Sequence, residues 1–497
     1  MGTRRDDITS EQRKQIVLEV LSPQREWGTV TKLATQYGVS RETIYTLAAC
    51  GERVLLTGLE PQPHGPQASE KIVAVNRNRV VRGVVTLTEV GVSQRDVAGC
   101  LAELLDTRVS GGWVNAELAR LERAAEAVNA QWQPPVQETL AGDELYANGL
   151  PNLLVVGNAS LYIYALTRQA SCDGETWACV LWDVPGAAHF ASDGGVGLAK
   201  GARLAEVGLH QLDWDHLLRP LWGQAARLEK QAYAALEAVE ERATQFDHAT
   251  TPKRLAQHLA TWERLQSTAS TLVARYDAFR QIAHQVDAQF ALIEPETGQG
   301  RDPRTAAACL RTLGQQLRGW SGRIYAKLSS NLCNWAEDLF RYHPALQRAL
   351  TPLATQWGTP AIQALCRLWQ LEADAKRHPM TGVARQTNQR HWEQALDAAV
   401  TALGPEHLGA AWEALCAVLN RAWRGSMLAE CINSRLRPIL AHRKHTDQGC
   451  LELFRFLHNT RPFQRGKRAH HSPAQLVGLD VPDDPLVLLG LAPKVSI

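Results

Sequence analysis

The chain has 497 residues, 45% hydrophobic and 21% charged, with a formal net charge of +2. That length allows two to four domains at roughly 100–200 residues each, and the composition is that of a core-forming protein rather than a disordered one. Ten scattered cysteines without a C-x-x-C pair speak against a disulfide scaffold or a structural zinc site. The charged N-terminus lacks the apolar stretch of a signal peptide, and no run of about 18 apolar residues predicts a membrane span, so a reducing cytoplasm is the expected setting.

Residues 1–57 read as a small helical domain. Thr9 and Ser10 precede Glu11 and Gln12 as a helix start, and Ile16, Val17, Val20 and Leu21 follow at helical spacing. Next, Leu33, Ala34 and Tyr37 form an apolar face, Gly38 ends that helix, and Ser40 caps another in which Ile44 and Leu47 face inward. Helix, tight Gly turn and Ser-capped helix make a helix-turn-helix pattern, whose second helix enters a major groove first turn forward. Arg41, Glu42, Thr43 and Tyr45 are then the DNA-facing residues; a plain helical hairpin is the alternative. The Pro- and Gly-rich stretch 58–70 reads as a linker. Residues 71–130 read as a second helical module, DNA-binding or structural, with Ser93 and Ser110 as helix caps.

Past QWQPP the period changes. Strands are expected in 136–146, 152–158 and 160–168, the first pair joined by a Gly149–Pro151 turn; a helix follows over 173–184. A fourth strand, 188–192, ends at Asp193-Gly194-Gly195; then come a helix and a short fifth strand, 208–214. Three strands, helix, strand, helix, strand is the order of a ribonuclease H-like α/β domain, here over 136–215. From 216 to 425 nearly everything is helical, broken at Glu294–Pro303 and His378–Thr381, and reads as an all-α insertion. The catalytic-looking sequence returns over 426–480 with a basic segment, and 481–497 reads as a tail.

Asp143 ends the first predicted strand and Asp193 the fourth, which are neighbours in such a sheet. Glu430 lies in a helix whose apolar face is Met427, Leu428, Cys431 and Ile432. Carboxylates that converge repel one another unless a cation or proton arrives. Two Mg²⁺ (or Mn²⁺) ions on such oxygens suit phosphodiester cleavage, where attacking and leaving oxygens need stabilisation together. Glu144 is a rival to Asp143, but strand alternation sends one of the pair away. Asp213, Asp215 and His216 follow the fifth strand, in a core, capping or phosphate-positioning role; Asn433, one turn after Glu430, is a support for it. Segment 435–468 is a basic stripe (Arg435, Arg437, Arg443, Lys444, Arg455, Arg461, Arg465, Lys467, Arg468) suited to phosphate. Of these, Arg443 and Lys444, flanked by His442 and His445, and Arg465, Lys467 and Arg468 are the expected DNA contacts.

The stretches GDELYANG, FASDGGVGLAKGA, HQLDWDHLLRPL and SMLAECINSRLRPILAHRKHTDQGCLELFRFLHNTRPFQRGKR resemble insertion-sequence transposases of the DDE class, most strongly over 136–222 and 420–480. The resemblance implies that Asp143, Asp193 and Glu430 bind the metals. It implies action on double-stranded DNA at terminal inverted repeats, hydrolysis before strand transfer, and a homodimer or higher assembly on DNA in the bacterial cytoplasm. The spacing from Asp193 to Glu430 departs from uninterrupted members. A catalytically silent DNA-binding regulator and another ribonuclease H-like nuclease are the alternatives.

Overall fold

The computed structural model describes residues 8–59, 75–184, 186–245, 251–377, 380–422, 425–442 and 446–493. Among these described residues it is mostly helical, with nineteen α-helices and one five-stranded mixed sheet. By contact the chain divides into two compact units, Met1–Ala74 and Val75–Ile497. The expected linker at 58–70 falls largely outside the described residues.

The first unit holds three helices: α1 (Ser10–Leu21), α2 (Thr29–Gln36) and α3 (Arg41–Leu59). Thr9 and Gln12 form a capping box on α1, satisfying two of the amides that a helix start leaves open. Gly38, at φ 63°, makes the left-handed turn between α2 and α3. Ser40 Oγ accepts from the Thr43 amide and caps α3. Ile16, Val20, Leu33, Val39, Ile44 and Ala48 close a small core of their own.

The second unit opens with α4 (Arg77–Glu89), α5 (Gln94–Leu105) and α6 (Gly111–Gln131). These helices are not a separate module. Their valines and leucines share one core with Leu453, Phe456 and Leu457 from near the other end of the chain, and with Leu489 and Leu491. The expected C-terminal tail is likewise built in: Arg82 pairs with Asp484 at 2.6 Å, and Asn78 exchanges hydrogen bonds with the Ala492 backbone. Apolar Leu486, Leu489 and Leu491 explain why that segment packs rather than trails.

The sheet comprises β1 (Leu140–Ala147), β2 (Leu150–Gly157), β3 (Ile163–Arg168), β4 (His189–Ser192) and β5 (Leu209–Leu212), in the order β3-β2-β1-β4-β5. β1 is antiparallel to β2 and β2 to β3, whereas β4 is parallel to both β1 and β5. The β1–β2 turn is Asn148-Gly149, both with positive φ (50° and 77°), not the expected Gly149–Pro151. Asn-Gly is the residue pair that tolerates this conformation in a two-residue hairpin, and Pro151 lies inside β2 opposite Tyr146. Between β3 and β5 run α7 (Gly174–Trp182) and α8 (Val196–Leu204).

After β5 the chain enters eight helices. The first four are α9 (Asp215–Thr244), α10 (Pro252–Ala288), α11 (Pro303–Arg318) and α12 (Arg323–Asn334). The rest are α13 (His343–Trp357), α14 (Thr359–Arg377), α15 (Gly382–Leu403) and α16 (Pro405–Leu419). The first four close around Leu221, Phe279, Leu310 and Leu328, and the last four around Leu346, Leu365, Ala399 and Leu415. The chain then returns to the sheet as α17 (Met427–Ala441), α18 (Gln448–Thr460) and α19 (Pro473–Leu476). α17 and α18 cover one face of the sheet, against Ala141, Leu145, Leu154 and Ile163. Trp177, Leu181 and Leu198 of α7 and α8 cover the other, against Leu140, Leu153, Val155 and Phe190. β2 is therefore apolar on both faces, as a central strand requires. Among the described residues, no helix is long and apolar enough to cross a membrane.

Candidate active site

Asp143 and Asp193 are brought together by strand register. β1 and β4 run parallel with Leu140 opposite Phe190 and Ala141 opposite Ala191. Asp143 stands two residues further along β1, on the face of Ala141, which is the face that α17 covers, and Asp193 directly follows β4, where its charge acts on Asp143. Glu144 points the other way, where its Oε1 accepts from Trp177 Nε1 at 2.8 Å. Alternation thus separates the two adjacent acids as the sequence leads one to expect.

Glu430 reaches the same neighbourhood from the first turn of α17. Burial is the largest cause raising the Asp143 carboxyl above the ordinary aspartate range, and the negative charges of Asp193 and Glu430 add to it. Hydrogen bonds from the Glu144 backbone and Asn433 oppose the rise without cancelling it. Asn433 is fully buried and donates from Nδ2 to Asp143 Oδ2 at 2.8 Å. Its partner is thus Asp143, not Glu430 as expected: from one turn along α17 its side chain points at the sheet, while Glu430 sits nearer the rim. Asp193 is held at the head of its loop, its Oδ1 accepting from the Gly195 amide at 2.9 Å.

How a helix that lies more than 200 positions downstream is placed beside β1 is answered by Asp213. This carboxylate is buried at the end of β5 and accepts from the Ser426 amide (2.8 Å), Ser426 Oγ (2.7 Å) and the Asp215 amide (2.8 Å). His216 Nδ1 stands 3.1 Å from its Oδ2. Burial pushes Asp213 up, but these hydrogen bonds together hold it below the ordinary range; the same contact raises His216. Asp213 therefore clasps the start of the eight-helix segment to the residue that precedes α17. Ser426 and Arg219 are site residues that sequence reading passed over; Arg219 was legible only as the (i, i+4) partner of Asp215 on α9. Arg219 Nη2 bonds Asp215 at 2.7 Å, and its Nη1 lies 3.4 Å from Glu430 Oε1.

The basic stripe is largely consumed by structure. Arg435 and Arg461 both pair with Glu89, Arg455 donates to the Ile163 carbonyl, and Arg468 donates to the Asn158 and Ala159 carbonyls. Arg437, Arg465 and Lys467 remain exposed, and Arg443, Lys444 and His445 lie outside the described residues. In the first unit Arg41, Glu42 and Tyr45 are exposed on the first turn of α3, while Thr43 is half-buried against Ser40.

The oxygen-only donor set Asp143, Asp193 and Glu430 fits a hard cation such as Mg²⁺ in type. Among the described residues, however, no three His, Cys, Asp or Glu side chains form a group that would hold a metal ion as they stand. Glu430 is engaged by Arg219 instead. No protein-family model matches the chain, and no curated protein is significantly similar to it.

Proposed function

We propose that this chain is a DNA transposase of the DDE type, which binds double-stranded transposon ends and cuts and joins DNA strands with the help of two Mg²⁺ or Mn²⁺ ions. The observation that carries the reading is the convergence of three acids from remote parts of the chain. Asp143 lies inside β1 and Asp193 directly follows the parallel neighbouring strand β4, and the charges of Asp193 and of the third acid, on α17, both bear on Asp143. Strand order β3-β2-β1-β4-β5 with the first three antiparallel supports a ribonuclease H-like catalytic domain, and α9–α16 then stand as its all-α insertion.

Asp143, Asp193 and Glu430 would hold the ions, whose chemistry is to stabilise the attacking and leaving oxygens of the phosphodiester. The rest falls to the chain itself. Asn433 fixes the rotamer of Asp143, the Gly195 amide fixes Asp193, and Asp213 with Ser426 sets the angle at which α17 presents Glu430. Arg41 and Tyr45 supply the exposed first turn of a recognition helix, and Arg465 and Lys467 an exposed cationic edge for DNA phosphates. Two DNA ends require at least two copies acting together.

Incubating the full chain with Mg²⁺ or Mn²⁺ and duplexes carrying the DNA that flanks its reading frame tests the reading. End cleavage and joining are expected, and Asp193→Asn is expected to bind the ends normally while losing cleavage by 10²-fold or more, the order of magnitude of removing one electrostatic stabiliser of a transition state. Undiminished cleavage by that variant would sink the proposal; end binding without cleavage by the parent chain would make it a silent regulator.

A further inference from the structure

Arg219 stands between two acids of different fate. Its Nη2 is held by Asp215, one turn back on α9, at 2.7 Å, and its Nη1 reaches Glu430 of α17 at 3.4 Å. Among the described residues these carboxylates are its ion-pair partners. The guanidinium side chain is 55% exposed and Glu430 38%, so their contact is a longer, partly solvated one that exchanges at little cost. Asp215 is the better covered partner at 23%, and it keeps the arginine at the lip of the site whether or not Glu430 stays in contact. A divalent ion and a guanidinium compete for the same carboxylate oxygens. A guanidinium relieved of one carboxylate presents paired N–H donors that match a phosphate in charge and shape.

We infer that Arg219 is a positioning residue that holds Glu430 until a divalent cation replaces it there, and that the released guanidinium then takes a phosphate of the bound DNA strand. The inference rests on the reading of Asp143, Asp193 and Glu430 as the metal site. It assigns to one arginine the exchange of cation for cation at the third acid, and so links metal entry to DNA phosphate binding.

Mn²⁺ titration of the full chain without DNA, followed by the electron paramagnetic resonance signal of the free ion, tests the first half. Arg219→Ala is expected to bind Mn²⁺ about two- to fivefold more tightly than the parent, the size of one half-exposed ion pair, and Arg219→Lys to stay near the parent. Glu430→Gln added to Arg219→Ala is expected to abolish the gain. Unchanged or weaker Mn²⁺ binding by Arg219→Ala overturns the inference. Equal Mn²⁺ binding by the parent and Asp193→Asn instead overturns the metal-site reading beneath it. For the second half, affinity for a mixed-sequence duplex is measured against salt, with Mg²⁺ and with EDTA. Arg219→Ala is expected to lower the salt slope by about 1 with Mg²⁺ and not with EDTA. An equal slope change in both buffers overturns the phosphate role. Unaltered melting of the half-exposed Arg219→Ala variant guards against a folding artefact.

Discussion

At Asp143 burial and the charges of Asp193 and Glu430 all act against ionisation, and the hydrogen bonds from the Glu144 amide and Asn433 offset only part of this. Because the folded-state value lies above the ordinary one, the stabilising contribution of the protonated acid is complete below the unfolded value, about 3.9, and is lost as pH rises through the folded value. At neutral pH the ionised acid therefore works against the fold. Asp143→Asn should melt on the order of 1–3 °C higher than the parent at pH 7 in metal-free buffer, and the difference should vanish toward pH 4. A lower melting temperature at pH 7 would show that the carboxylate is better solvated than its surroundings suggest. The same residue scale separates Asp143 from Glu144. Alternation along β1 was readable beforehand, whereas the Trp177 indole that engages Glu144 was not, since it comes from α7 on the opposite face of the sheet.

Among the elements, α18 does the least expected work. Its polar residues lie along the free edge of β3 and supply the backbone partners that a sixth strand would otherwise provide. Gln448 takes the Arg168 amide and donates to the Leu166 carbonyl. Asn459 takes the Ile163 amide and, together with Arg455, donates to the Ile163 carbonyl. His458 Nε2 meets the Leu161 carbonyl at 2.9 Å, and burial lowers this histidine to about 4, so it is neutral there. An exposed edge invites pairing with another chain, and this helix closes it. In the sequence the stretch LHNTRPFQRGKR adds four cations to the basic stripe; in the fold its first part, with Arg468, is a brace on β3 and the β2–β3 loop. Asn459→Ala should cost about 2 kcal/mol in denaturant unfolding, by stranding a buried amide and carbonyl, and should speed hydrogen exchange at Ile163 in particular. Slow exchange at Ile163 in that variant would mean that the edge is closed by something other than Asn459.

For the whole second unit the decisive contact is the Asp213–Ser426 clasp, which shuts a long helical excursion so that α17 returns to the sheet. Asp213 is held below its ordinary range, so its contribution is present above the unfolded value and is lost only as pH falls through the folded one, in acid below about 4. Asp213→Ala should cost about 3 kcal/mol, because it leaves buried donors unpaired, and should raise hydrogen exchange across 426–433 more than across β1. Exchange unchanged over 426–433 would show that apolar packing of α17 alone sets its place.

Much of this protein was written locally. Periodicity, caps and turn residues determined the three N-terminal helices, the strand and helix order of 136–215 and the helical run that follows. They also put Asp193 at a strand end, because side-chain alternation and helical repeat are properties of neighbouring residues; Asp143, expected at the end of its strand, lies inside β1, which the Asn148-Gly149 hairpin carries on to Ala147. What only the tertiary structure decided are the long-range pairings. These are the core that α4–α6 share with α18, the packing of the C-terminal segment on α4, the basic residues turned to bracing, Asn433 aimed at Asp143, and Arg219 on Glu430. Each joins positions far apart in the chain, and such contacts depend on which apolar faces bury one another, a choice that no window of sequence contains.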